Sequence, residues 1–214
     1  MADTLRVKHC CRDMLELDTS RICNVRSLLY LLFLVLFMEV TVAQCDKGLV
    51  EVQARQEIEY LRRRYAKATD FIGKGTDDSV AKGRAIYHRI FTSDAELRSS
   101  AGGEPRIGPD AWVELVKEFL VPLGPTQHLI GTQVVDIEAF ELGDNCRILS
   151  GSAHMESYVQ AWHERLDNKV WVYLGIYHDH VSYVPGIGWR IDRMSMEQIG
   201  GETRFMDSAV SGSM

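Results

Sequence analysis

From residue 51 the apolar positions recur every three or four residues. Ile58, Leu61, Tyr65, Ala68 and Ile72 fall on one face of a helix, and Glu57, Glu59, Arg62, Arg63 and Lys67 fill the opposite side. This spacing predicts a helix over 51–72, stopped by Gly73 and Gly75. A second helix is expected over 78–91, burying Val80, Ile86 and Ile90-Phe91. Residues 92–98 then turn into a strand, and Gly102-Gly103-Glu104-Pro105 is a turn. Pro109-Asp110 opens a third helix over 110–120, with Trp112, Val113, Val116 and Phe119-Leu120 facing inward; a proline and an acid suit a first turn.

After the proline-punctuated loop 121–125 the period drops to two. Residues 128–138, 146–165, 169–184 and 188–197 read as four strands, separated by turns at 141–145, 166–168 and 185–188. Helices grouped ahead of strands joined by short turns give an α+β fold. Strands this long must curve. The expected architecture is a cone-shaped α+β barrel: three N-terminal helices packed on a curved, mostly antiparallel sheet. Residues 51–197 form this domain, and 198–214, with Gly200-Gly201 and a Ser/Gly end, are expected to be a flexible tail.

Residues 1–50 follow neither pattern. Positions 28–38 are a run of eleven apolar residues, with Arg21 and Arg26 ahead and Glu39 behind. A bilayer span needs about 20, whereas the apolar region of a signal peptide has ~7–15. Thr41-Val42-Ala43 offers small residues for cleavage after Ala43; Gln44 is too large for a lipoprotein box ending at Cys45. Against a signal peptide, the segment before the run is long and carries three cysteines and four acidic residues. A short signal anchor, or a true start at Met14 or Met38, also fits. The chain is expected to be secreted or membrane-associated if 1–43 is a leader, and cytoplasmic otherwise.

Composition narrows this little. The 214 residues are 46% hydrophobic and 25% charged, ordinary for a globular protein. A net charge of −6 points away from nucleic acid and anionic membranes, and Arg62-Arg63-Arg64 reads as a solvated helix face. The cysteines are Cys10, Cys11, Cys23, Cys45 and Cys146. Their odd number argues against a complete disulfide framework, and no spacing matches a zinc site. A chain cleaved after Ala43 keeps only Cys45 and Cys146.

The candidate chemistry gathers around Thr126-Gln127-His128, at the mouth of the first long strand. On spacing alone such a histidine is a surface or cap residue. At a pocket rim it is the side chain best suited to moving a proton near neutrality. Asp70 lies near the C-terminal end of the first helix, off the apolar stripe, where a carboxylate meets the negative end of the dipole. Tyr65 is either a core aromatic or a pocket donor. His154 and Tyr158 share one side of a strand, either pocket or outer face. Arg193 shares a face with Trp189 and Ile191 and would need a partner such as Asp70. His178-Asp179-His180 hints at a metal, but two imidazoles without a third ligand read as a solvated strand segment.

Several pieces together resemble the SnoaL-like branch of the nuclear transport factor 2-like superfamily. They are Tyr65-Ala66 with Asp70, Phe91-Thr92-Ser93-Asp94-Ala95, Ile107-Gly108-Pro109-Asp110, Thr126-Gln127-His128, and Tyr177-His178-Asp179-His180 before Gly188-Trp189-Arg190-Ile191. The order helix-Asp then strand-His resembles scytalone dehydratase, bile-acid dehydratases and hexachlorocyclohexane dehydrochlorinase. The resemblance implies a cofactor-free, metal-free lyase of dehydratase type. In it His128 would remove a proton from carbon and Asp70 would orient and stabilise the imidazole. Tyr65, His154, Tyr158 and Arg193 are the expected substrate-binding residues, and the substrate a small hydrophobic molecule of polyketide, steroid or terpenoid kind. The same pair would serve an isomerase or polyketide-type cyclase, and a non-catalytic binding or dimerisation module is the other alternative. Trp162, Trp171, Tyr173, Tyr183 and Tyr158 predict a homodimer through the outer sheet face.

Overall fold

The computed structural model describes residues 45–205. Among them the chain forms three helices and six strands in order: α1 (Lys47–Gly73), α2 (Asp77–Ile90), β1 (Phe91–Arg98), β2 (Arg106–Ile107), α3 (Gly108–Leu120), β3 (Thr126–Leu142), β4 (Ile148–Arg165), β5 (Lys169–Val184) and β6 (Gly188–Phe205). The strands make one sheet in the order β2-β1-β6-β5-β4-β3. Only β1 and β6 pair in parallel; the other neighbours are antiparallel. The expected α+β fold is therefore present, with its helices against a curved sheet.

Local chemistry sets the helix ends. The Asp46 carboxylate accepts from Leu49 N (3.2 Å) and Thr76 Oγ1 accepts from Ser79 N (3.3 Å), so α1 and α2 begin on side-chain caps. Pro109 stands in the first turn of α3. The predicted stripe of α1 is buried throughout, and with Trp112, Val113, Met155, Tyr177 and Ile191 it forms one core between helices and sheet. Gly83 lets α2 pack closely on α1: a Cβ there would lie 2.4 Å from Ile72 Cγ1 and 2.7 Å from the Ala68 carbonyl.

Several boundaries and faces differ from expectation. β3 starts at Thr126 and runs to Leu142, and β6 runs to Phe205, so 198–205 is strand rather than tail. This end is held by cross-strand partners: Gly200 and Gly201 sit opposite Leu174 and Tyr173, and Phe205 opposite Lys169. Arg62 is not on a solvated face. It is fully buried and forms a bidentate ion pair with Asp179, Nε to Oδ2 at 3.0 Å. Its guanidinium lies 4.4 Å and 3.9 Å from the Tyr65 and Tyr177 ring centroids. Burial disfavours the Asp179 charge and raises its pKa, and the guanidinium beside it offsets only part of this. Cys45 and Cys146 are joined in a disulfide, which the odd cysteine count hid. The leader expectation for 1–43 lies outside the described residues, as do 206–214.

Candidate active site

The inner face of the sheet follows from strand parity. On β4, Ala153, Met155, Ser157, Val159, Ala161 and His163 point inward and are buried, while His154, Glu156, Tyr158 and Gln160 are exposed. Near the Ala161 and His163 end of this face, the sheet, α1, α3 and residues 99–101 enclose a cavity of about 240 Å³. Its walls are mostly apolar and aromatic: Tyr65, Trp112, Leu115, Trp171, Tyr173 and Tyr177 among them. The polar groups that reach it include two imidazoles, His128 and His163, with Thr69, Gln198 and the Ser99-Ser100 pair. Phe119, expected to face inward, also lines the cavity but is 54% exposed, so it stands at the rim.

Asp70 and His128 are in contact. The Asp70 carboxylate faces the start of β3, and Oδ1 lies 2.8 Å from His128 Nδ1. The same oxygen accepts from His128 N at 3.1 Å and from Thr126 Oγ1 at 3.3 Å. Three donors on one carboxylate fix it and the ring it holds. Its place in the last turns of α1 is compensated by these donors rather than by the helix. Because Nδ1 is engaged by Asp70, Nε2 is the free nitrogen of a ring that lines the cavity.

His163 is the residue the sequence reading missed. Thr126 pairs with His163 across β3 and β4, and His128 with Ala161, which brings the two histidines side by side. Their ring centroids are 5.4 Å apart and perpendicular. His163 stacks on Trp171, centroids 4.6 Å apart, and its Nδ1 lies 3.3 Å from the Trp171 carbonyl. A carbonyl only accepts, so Nδ1 carries the proton and Nε2 is left as an acceptor. Burial, and then the neighbouring His128, lower its pKa from 6.5 to about 4, so the ring is neutral at neutral pH.

The remaining candidates divide. Tyr65 lines the cavity; its hydroxyl oxygen accepts from Trp112 Nε1 at 3.1 Å, and its ring stacks on Tyr87 at 5.3 Å. Burial pushes its phenol up, so it stays protonated. His154, Tyr158 and Arg193 do not line the cavity. His154 and Tyr158 have the even parity of β4 and point to the outer face, His154 reaching Glu138 at 3.0 Å. Arg193 is turned outward by a β-bulge: Val181 pairs with Ile191 but His180 with Arg193, leaving Asp192 as the extra residue. The parity of Trp189 and Ile191 therefore does not carry on to Arg193, which is exposed and far from the expected partnership with Asp70.

His178 and His180 share the outer face. His178 lies 3.2 Å from both Glu156 and Glu197, and His180 Nδ1 2.5 Å from Asp192. Asp179 between them points inward to Arg62, so it is not part of a solvated segment. Among the described residues no group of three or more His, Cys, Asp or Glu is arranged to hold a metal ion.

Residues 50–195 match the model of the SnoaL-like domain family. No curated protein matches the chain. Among solved structures, a type 2 hexachlorocyclohexane dehydrochlorinase is similar with a TM-score of 0.61 and 14% identity, over 78% of this chain and all (100%) of the other. A candidate scytalone dehydratase from Novosphingobium aromaticivorans gives 0.51 and 18%, over 75% of this chain and 90% of the other. A nuclear transport factor 2-like superfamily protein from Salmonella enterica serovar Typhimurium gives 0.53 and 13%, over 77% and 99%.

Proposed function

The chain belongs to the SnoaL-like domain family, and on that premise we propose that it is a cofactor-free lyase of dehydratase type acting on a small hydrophobic molecule. The observation that carries this reading is the 2.8 Å contact of Asp70 Oδ1 with His128 Nδ1, on a ring that forms part of the cavity wall. His128 Nε2 takes a proton from a substrate carbon. The C–H electrons form the double bond as the neighbouring C–O bond breaks, and the His128 imidazolium returns its proton to the departing hydroxide, which leaves as water and restores the neutral ring. Asp70 holds the tautomer and stabilises the imidazolium. The step is helped by His163: a second charged imidazole 5.4 Å away would oppose that cation, whereas a neutral one does not. Tyr65, with Trp171 and Tyr177, supplies apolar wall for the substrate, and His163 Nε2 accepts from a hydroxyl on it. The likeness of the fold to a dehydrochlorinase and a candidate scytalone dehydratase supports the same class of reaction.

His163 also favours a second reading, an isomerase or cyclase. An uncharged imidazole beside the base can relay the abstracted proton to another position of the same molecule. Outside the cavity, the exposed outer-face residues Leu129, Val134, Tyr158 and Leu174 support a homodimer through the sheet, although Trp171 and Tyr173 belong to the cavity and Tyr183 packs on Trp189.

The test is a panel of hydroxy-ketones, hydroxylated aromatic polyketides and chlorinated rings, followed by mass spectrometry. Loss of water or hydrogen chloride by the wild type, and its absence with His128→Ala, is the expected result. Product of unchanged mass but altered bond position selects the isomerase. Tight binding without turnover, unaffected by His128→Ala, overturns the enzyme reading in favour of a carrier.

A further inference from the structure

The first turn of α1 has little to hold it. Residues 47–49 are exposed, and the core contacts of the helix begin at Ala54. Such a terminus frays unless it is tied down. Here Cys45, one residue ahead of the Asp46 cap, is bonded to Cys146 in the turn between β3 and β4, 101 residues away. Cys146 has φ +62°, a left-handed position within the turn, and the Cα atoms of the pair are 5.2 Å apart. Both residues are half-buried at the surface. A bond so placed is open to small thiols and persists in an oxidising compartment, not in a glutathione-buffered one.

The sequence ahead of the bond agrees. Cys10, Cys11 and Cys23 all precede the apolar run 28–38, and the small residues Thr41 and Ala43 follow it. Hydrolysis after Ala43 removes those three cysteines and leaves two, which are the two that are bonded. It also leaves the whole family match, 50–195, and the cap of α1 intact. We infer that the protein is exported, cut between Ala43 and Gln44, and stapled by Cys45–Cys146 one residue behind its new N-terminus.

Two covalent steps are required, and a third can follow the first. Water adds across the Ala43–Gln44 peptide bond, giving a carboxylate and a free Gln44 amine; that amine can cyclise on its own side-chain amide with release of ammonia. Each thiol gives up one proton and one electron, and the electron pair reduces the disulfide of a thiol oxidase in the exporting compartment to its dithiol. The inference does not depend on the chemistry of the cavity.

The test expresses the full chain from Met1 in a host with an oxidising export route and measures the intact mass of the exported protein. The expected product starts at Gln44, free or cyclised, with no thiol alkylated before reduction and two afterwards. Reductant should lower its melting temperature by about 5–10 °C. Cys45→Ser/Cys146→Ser should be exported and folded, already lowered by a similar amount and indifferent to reductant. Ala43→Leu should keep the leader attached. A chain retained inside the cell with 1–43 attached overturns the inference. So does an exported chain whose Cys45 and Cys146 are alkylated without reduction.

Discussion

His163 shows how one side chain links stability and chemistry. Its folded pKa of about 4 lies below the ordinary 6.5, so the unfolded chain binds a proton that the folded chain refuses. Stability is therefore complete above about pH 6.5 and falls as pH drops toward 4, by roughly 3 kcal/mol if the whole shift is expressed. Urea melts from pH 7.5 to 4.5 should show this decline in the wild type and a shallower one in His163→Asn. At the proposed base, His128→Ala should cut turnover by about 10²–10⁴-fold. Asp70→Asn should cut it by a similar order, with a loss of about 1–3 kcal/mol in stability because its contacts with His128 and Thr126 weaken. The pairing of Asp70 with His128 was legible because both sit where a periodic element ends against a loop, in the order the resemblance supplied. His163 was equally open to view, since Val159 and Ala161 fix the parity of β4. Choosing His154 and Tyr158 instead took the opposite face of the same strand, and a slip of one residue exchanges every side chain. Arg193 was beyond pattern reading, because the bulge at Asp192 leaves no mark in an apolar-polar alternation.

The helices and the long strands were legible as elements, and their faces mostly so. The exceptions are places where a distant partner overrides the local pattern. Arg62 lies within a polar stretch of α1, yet Asp179, 117 residues later, receives it between two tyrosine rings. Removing one partner leaves a buried charge, so Arg62→Ala and Asp179→Ala should each cost about 3–5 kcal/mol in equilibrium unfolding. Arg62→Met with Asp179→Leu should recover most of that loss. Equal losses in the double and single variants would contradict the pair as described. Gly83 makes the corresponding point for helix packing. Gly83→Ala would gain helix propensity in isolation, but with Ile72 and the Ala68 carbonyl this close it should destabilise by about 1–3 kcal/mol. The end of β6 was read as tail because Gly200-Gly201 and the polar residues after it resemble a linker. Gly201 fits there because a Cβ would meet the Val172 carbonyl at 2.5 Å.

For the molecule as a whole, the sheet has two sides with different tasks. The inner side carries the core and the cavity. The outer side carries His–carboxylate pairs at one end and, nearer the other, the exposed Leu129, Tyr158 and Leu174, with Gln160 between Leu129 and Leu174. If two copies meet there, Tyr158→Lys should turn a dimer into a monomer in light scattering at micromolar concentration while leaving turnover per chain within a few-fold. A wild type that is monomeric under those conditions would remove this interface. Fold class was readable at this scale because three helices preceding four long strands admit few arrangements. The parallel pairing of β1 with β6 was not, because it joins segments about a hundred residues apart. The disulfide escaped for a similar reason: a count of five cysteines mixes three ahead of the apolar run with the two that bond.

The central claim is that His128 takes a proton from carbon. Its most direct measurement is deuterium incorporation from heavy water into a bound ketone of the panel, read by mass spectrometry for the wild type, His128→Ala and His163→Asn. The account predicts exchange at one carbon in the wild type, none with His128→Ala, and retained though slower exchange with His163→Asn. Equal exchange in the wild type and His128→Ala, with both folded and both binding the ketone, would contradict it.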